Sequence, residues 1–304
     1  MPEGSRSLAS EPQHEPVLAA EVVRLMQPRP SGFYVDCTLG LGGHTRALVA
    51  AGAGRVLALD RDEAALALAR ARLGDIAGHV EFVHADFRRL PDVLAERERT
   101  EVDGVLADLG VSSLQLDDPA RGLSFRQAGP LDMRLDRSQG ETLATRLARV
   151  DVETLADVIN RFGEERHARR VARAILAARD RGALGDTGDL AAVVRRAAGG
   201  RGWQRIDPAT RTFQALRIWV NDELDGLDTF LASAWQALAR GGRLIVLAFH
   251  SLEDRVVKHT FRQLATTDAR AHLLTRRPIV PDDEERARNP RSRSARLRSL
   301  EKLA

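Results

Sequence analysis

Four acids stand where a chain of this pattern would hold a ligand: Asp36, Asp60, Asp86 and Asp108. The first opens Asp36-Cys37-Thr38-Leu39-Gly40-Leu41-Gly42-Gly43-His44, a glycine-rich turn. Glycine permits positive φ and lets backbone N–H groups approach a bound molecule with no Cβ in the way. Asp60 lies 18 residues beyond Gly42. That is close to the ~20-residue spacing of an acid that grips a ribose diol through two hydroxyl hydrogen bonds. Asp86-Phe87 offers an adenine an aromatic face and a polar edge, and Asp108 precedes Leu109-Gly110-Val111-Ser112-Ser113. Adenosine is the shared chemistry, carried by a nicotinamide cofactor or by S-adenosylmethionine. Two details favour the methyl donor. An acid sits within the first predicted strand, and the third glycine of the dinucleotide pattern is missing. A sulfonium has no pyrophosphate to cradle, so the helix N-terminus can be less open.

These residues need a scaffold that brings them together. Short apolar runs at 33–39, Arg55–Asp60, 80–85 and 102–109 alternate with helical stretches at 44–51, 62–73 and 91–99, after a short helix over Ala19–Met26. Such alternation predicts a parallel sheet covered on both faces, and open sheets of this kind bind ligands beyond the carboxyl ends of their strands. Residues 110–140 hold turn formers, and 152–198 is helical throughout. Helices follow at 210–224 and 227–239. Gly241-Gly242 then introduces a buried strand over 243–249, a helix over 251–264, and β-prone pieces near 272–275 and 295–300. An all-helical block between βαβ units is hard to thread into one sheet. The expected organisation is an α/β sheet domain over 1–115 and 207–304, with an inserted helical substrate-recognition domain over 116–206.

The chain has 304 residues, 43% apolar and 29% charged, enough for a sizeable core. Cys37 is the sole cysteine, so no intramolecular disulfide and no cysteine zinc cluster can form. No apolar run reaches the ~18 residues of a membrane span, and the N-terminus lacks an apolar signal core, so a cytoplasmic protein is expected. Net charge is only +3, yet Lys258 and Lys302 are the only lysines among 46 basic residues. Codon bias accounts for much of this. The distribution says more. From Arg161 to Arg211, 12 arginines face 6 acids, and from Arg286 onward six arginines and Lys302 face only Glu301. Concentrated guanidinium charge suits a phosphate backbone.

The Asp36 loop resembles the acid-x-(Gly/Thr)-x-Gly-x-Gly loop of class I methyltransferases. A narrower resemblance extends from His14-Glu15-Pro16-Val17-Leu18 through Asp36–Thr45, Asp108-Leu-Gly-Val-Ser-Ser-Leu-Gln-Leu-Asp117 and Arg121-Gly-Leu-Ser-Phe125. It continues through Leu131-Asp-Met-Arg134, Gly163-Glu-Glu165, Ala209-Thr-Arg-Thr-Phe-Gln-Ala-Leu-Arg-Ile218, Phe249-His-Ser-Leu-Glu-Asp-Arg255 and Asn289-Pro-Arg-Ser-Arg-Ser-Ala-Arg-Leu-Arg298. These blocks are similar to those of the bacterial small-subunit (16S) ribosomal RNA cytosine-N4 methyltransferase family. The resemblance implies a class I, Rossmann-like methyltransferase sheet. It also implies methylation, from S-adenosylmethionine, of one cytidine in the decoding region, on an assembled or nearly assembled small subunit. It assigns cofactor contacts to Gly42, Gly43, His44, Asp60, Phe87, Asp108 and Gln115. Asp207 departs from the histidine the family usually has before its proline.

A cytosine N4 amine is a poor nucleophile, so the site must align it and accept a hydrogen bond from it. Candidate acceptors are Asp108, Ser112 or Ser113, Asp132 and His250, with serines more often capping turns. The Pro-Pro-aromatic turn of DNA amino-methyltransferases is missing after Asp108. Cys37, inside a strand, reads as a small buried residue rather than a nucleophile, and no metal is expected. Candidate RNA contacts are Arg134, Arg169, Arg170, Arg173, Arg211, Arg291 and Arg293. The competing functions are a Rossmann oxidoreductase, a non-catalytic RNA-binding assembly factor and a DNA cytosine-N4 methyltransferase.

Overall fold

A computed structural model describes residues 16–199 and 207–304; His14 and Glu15 of the first motif lie outside them. Among the described residues β1 (Phe33–Asp36), β2 (Arg55–Asp60), β3 (Val80–His84), β4 (Val102–Asp108), β5 (Leu238–Ala248), β6 (Ala271–Leu273) and β7 (Arg296–Lys302) form one sheet. Its order is β3-β2-β1-β4-β5-β7-β6. The first five strands are parallel, and β7 runs antiparallel to both β5 and β6.

The helices are α1 (Ala19–Met26), α2 (Gly43–Ala50), α3 (Glu63–Arg72), α4 (Leu90–Ala95), α5 (Ser113–Asp117), α6 (Leu143–Arg149), α7 (Val152–Gly163), α8 (Ala168–Asp180), α9 (Thr187–Ala198), α10 (Ala209–Asn221), α11 (Leu227–Ala237), α12 (Ser251–Thr267) and α13 (Asp283–Arg288). The period of two along each strand sorts the core onto both sheet faces. Val35, Val105, Leu244 and Val246 pack with α4, α11 and α12 on one face. Tyr34, Leu106, Ile245 and Leu247 pack with α1 and Leu48 of α2 on the other. Phe230 of α11 is 1% exposed, and burying such a side chain stabilises by about 1.5–3 kcal/mol.

A separate apolar cluster joins α6, α7, α8 and α9. Ala209, Phe213, Leu216 and Val220 of α10 belong to this cluster. The expected boundary at 207 therefore falls ahead of a helix whose apolar side packs with the helical layer, although chain order placed it with the sheet. The strand expected at 243 begins at Leu238 and runs through the glycines, with a register break opposite Val102 and Gly104. Gly241, at φ 76°, makes the irregularity possible. Cys37 lies just past β1 rather than within it, and is 2% exposed.

The C-terminal strand is pinned by charge as well as by its ladder. Arg298 and Asp254 form a buried pair at 2.7 Å. Lys302 Nζ donates to the carbonyls of Trp235, Gln236 and Leu238 at the end of α11, where a cation meets the negative pole of the helix. Among the described residues no helix is long and apolar enough to cross a membrane.

Candidate active site

The carboxyl ends of β1, β2, β3 and β4 meet beside the loop that follows β1. That loop is held by the neighbouring strands: Cys37 N–H donates to Leu106 O, Leu39 N–H to Leu59 O, and Asp108 N–H to Thr38 Oγ1. Its three glycines serve different ends. Gly40 has φ 52° and no atom within 4 Å of where a Cβ would stand. Gly42, at φ 78°, would put a Cβ 2.5 Å from Leu73 Cδ1, and Gly43 would put one 3.1 Å from Pro16. The open approach therefore belongs to Gly40, which the motif reading did not single out. A side chain at Gly42 or Gly43 would in addition crowd the packing behind the loop.

Asp60 ends β2 with both carboxylate oxygens held by backbone. Gly40 N–H donates to Oδ2 at 2.7 Å and Asp62 N–H to Oδ1 at 2.8 Å. Burial pushes its pKa up to about 6, against the two N–H donors that lower it. Each oxygen keeps acceptor capacity for a further donor. Asp36 is fully buried and accepts from Thr45 Oγ1 at 2.7 Å; burial raises its pKa, although His44 opposes this. His44 Nε2 stands 3.3 Å from Asp108 Oδ2, without hydrogen-bond alignment. Burial alone would lower the pKa of His44, but Asp108 and then Asp36 outweigh it and raise it. Both ring nitrogens of His44 and Oδ1 of Asp108 are buried without a hydrogen-bond partner among the described residues. Buried polar atoms of this kind are costly unless something completes them.

Phe87 opens the turn after β3 and packs its ring 4.7 Å from that of Phe230. The adjacent Asp86 is bound by Arg88 through Nε and Nη2. Burial pushes its pKa up, yet Arg88 and Arg61 hold it below the usual range. Ser112 and Gln115 form a reciprocal cap on α5, and Gln115 Nε2 also donates to Asp62 Oδ2 at 2.7 Å. Asp62 caps α3 through Ala64 N–H and pairs with the buried Arg121 at 2.7 Å. Asp62 and Arg121 were missed by sequence reasoning. A signal for Asp62 was there, two residues after Asp60 and ahead of a helical run; Arg121 carried none of its burial.

Among the candidate acceptors, Ser112 and Asp132 are committed locally. Ser112 Oγ caps α5. Asp132 accepts from Arg134 through both oxygens at 2.7 and 3.1 Å; burial raises its pKa, but Arg134 outweighs this and lowers it. His250 caps α12 through Nδ1, and its Nε2 lies 3.2 Å from Glu253 Oε1. Glu223, His250 and Glu253 converge within 4.8 Å. Arg217 engages both oxygens of Glu223 at 2.8 Å each, so that carboxylate is already paired.

The candidate RNA contacts are spread over two regions. On the helical layer Arg169 pairs with Glu153 at 3.1 Å, Arg170 donates to Ala198 O, Arg173 is exposed, and Arg211 donates to Glu164 O at 3.4 Å. In the C-terminal segment Arg291 pairs with Asp117 at 2.6 Å and Arg293 is exposed. Arg134 is turned inward onto Asp132. Asp207, the departure from the family pattern, binds Arg195 at 2.8 Å, and that guanidinium lies 5.3 Å from the Phe125 ring centroid. Glu164 ties the two layers together, accepting from Ser251 Oγ at 3.2 Å and pairing with Arg255 at 3.1 Å.

Known proteins match this arrangement along almost its whole length. The model of the MraW methylase family matches residues 11–303. A protein of Sorangium cellulosum named ribosomal RNA small subunit methyltransferase H is 50% identical, over 96% of this chain and 91% of its own. One of the same name from Anaeromyxobacter is 49% identical, over 96% and 98%. A putative methyltransferase from Streptococcus mutans, solved in complex with SAH, aligns at 12% identity and TM-score 0.44, over 97% of this chain and all of that one. With a family match of that extent, the chain is a member of the MraW methylase family.

Proposed function

We propose that the chain transfers a methyl group from S-adenosylmethionine to the exocyclic N4 amine of a cytidine in the decoding region of small-subunit ribosomal RNA. The observation that carries the cofactor half is Asp60, a buried carboxylate held by two backbone N–H groups beside the uncovered Gly40. The substrate half comes from relatives of the stated name at about half identity over nearly the whole chain.

When bound, S-adenosylmethionine supplies an electrophilic methyl group on a sulfonium that departs as a neutral thioether. Asp60 is placed to accept from ribose hydroxyls, and Gly40 leaves room for the sugar. Phe87 offers one face to the adenine, while Phe230 fixes its tilt. Gly42 and Gly43 hold the loop against Leu73 and Pro16 and, with His44 and Asp108, whose buried polar atoms are unfilled, would contact the cofactor, while Gln115 braces the wall from Asp62. For the amine, Asp108 Oδ1 is the candidate acceptor with open valence; His250 Nδ1 already accepts from Glu253 N–H, which leaves its Nε2 as a donor. Aligning the amine with the methyl group is worth roughly 7–11 kcal/mol in favourable systems, against the few kcal/mol needed to unstack a base. Arg169, Arg170, Arg173 and Arg211, with Arg291 and Arg293, supply phosphate contacts, and the substrate is the RNA of an assembled or nearly assembled small subunit in the cytoplasm.

The test is incubation with labelled S-adenosylmethionine and small subunits lacking the modification, beside protein-free ribosomal RNA and duplex DNA. Label recovered as N4-methylcytidine from the subunit is the expected result. Label on a ring carbon, or on DNA alone, refutes the reading. Single-turnover rates of Asp108→Asn, compared with His250→Ala, then test Asp108 as the acceptor.

A further inference from the structure

The turn Asp60-Arg61-Asp62 is the start and end of a closed ring of polar contacts. Asp62 Oδ2 pairs with Arg121 Nη2 at 2.7 Å, and Arg121 Nη1 donates to Leu135 O at 3.2 Å. Leu135 N–H donates to Asn221 Oδ1 at 2.7 Å, and Asn221 O lies 3.4 Å from both Nη atoms of Arg61. The ring thus leaves the end of β2, crosses to the root of the helical layer, and returns through the last residue of α10. Asp62, Arg121 and Asn221 are all under 9% exposed.

Inside the ring sits a strained residue. Met133 is fully buried with φ 63°, a conformation that disfavours a large side chain. It is held there by its N–H donating to Arg121 O at 3.0 Å and its carbonyl accepting from Asn221 Nδ2 at 2.8 Å. Strain of this kind persists only where the surroundings over-determine it. Met133 lies between Asp132 and Arg134. The ring therefore sets the backbone of a segment whose Asp132 and Arg134 are paired with each other. The same Asp62 peptide that closes the ring donates to Asp60.

We propose that Arg121 is a positioning residue that couples cofactor occupancy at Asp60 to the order of residues 115–135, and through them to RNA binding. This rests on the reading of Asp60 as the ribose acid. A ligand that fills Asp60 fixes the 60–62 turn, the turn fixes Arg121, and Arg121 holds the strained Met133 segment. Coupling of this kind is reciprocal, so RNA must tighten the cofactor as much as the cofactor tightens RNA.

Hydrogen exchange of the wild-type protein tests this with no substitution. S-adenosylhomocysteine is expected to slow exchange of 115–135 by about fivefold or more while leaving α8 unchanged; protection confined to 38–62 overturns the proposal. The second measurement is S-adenosylhomocysteine affinity with and without small subunits lacking the modification. In the wild type the subunit should tighten the ligand by about fivefold or more. Arg121→Lys should keep part of that ratio and Arg121→Met should bring it to one. A merely structural role would weaken both affinities and leave the ratio intact. If the wild type binds S-adenosylhomocysteine and shows a ratio of one, the coupling alone is wrong. If it binds none, the reading of Asp60 fails and takes the coupling with it.

Discussion

Gly40 and Gly42 are two residues apart and should respond differently to the same substitution. Gly40→Ala has empty space for its methyl group, so the protein should fold with a loss of about 1–2 kcal/mol from the left-handed backbone. The methyl group then stands in the cofactor's approach, and calorimetric titration with S-adenosylhomocysteine should show at least a tenfold weaker affinity, about 1.4 kcal/mol. Gly42→Ala meets Leu73 at 2.5 Å, so thermal unfolding should reveal a larger stability loss. Asp60 adds a pH dependence. Its folded pKa of about 6 lies above the ordinary 3.8, so its proton is held more tightly in the folded state. The stability this contributes is present at low pH and is lost as pH rises through about 6. Above that pH the buried carboxylate is ionised and best served by hydroxyl donors. The thermal shift given by S-adenosylhomocysteine should therefore be larger at pH 7.5 than at pH 5. In Asp60→Ala it should be smaller at both, with a loss of about 1–3 kcal/mol in binding. A shift that grows on acidification would contradict the role of Asp60. Asp60 was legible from its spacing to the glycines. Arg121 was not, because an arginine in an Arg-rich chain carries no mark of burial until its partner is known.

At the scale of elements, α8 joins two functions on one helix. Val171, Ala172, Ile175 and Leu176 face the helical core, while Arg169, Arg170 and Arg173 remain exposed. Exposed ion pairs such as that of Arg169 with Glu153 contribute only about 0.2–1 kcal/mol. Replacing the three arginines by glutamate should thus leave the melting temperature nearly unchanged. RNA affinity should fall, and the slope of log affinity against log salt should drop by about 2–3, at roughly 0.7–0.9 per phosphate contact. Filter binding over a range of KCl concentrations measures it, and an unaltered slope removes α8 from the interface. Elements with a strong period were legible: Ala19–Met26 and Arg55–Asp60 coincide with their expected ranges. Short or irregular ones were not. The α5 helix is too brief to show a period, and Gly241-Gly242 reads equally as a turn before a strand or an irregularity within one. Only the pairing of β4 with β5 decides for the latter.

For the whole molecule, chain order proved a poor guide to packing partners. The α10 helix follows the helical block in sequence and shares its core, yet its last residue, Asn221, reaches the turn after β2. Apolar spacing identifies that a face is buried but never against what, so the boundary at 207 could not be read from residue types. A similar concealment applies to β7, whose antiparallel course between β5 and β6 depends on contacts remote in sequence. Its Lys302 ammonium is enclosed by three carbonyls, and burial, with Arg270 nearby, holds its pKa below the usual lysine value. Lys258, the other lysine, is only half-buried. An amine-reactive reagent should consequently acetylate Lys258 in the native protein and spare Lys302 until that strand detaches. Mass spectrometry of the two peptides across a denaturant series would then time the opening of this edge against global unfolding, with the protein's own scarcity of lysine serving as the probe.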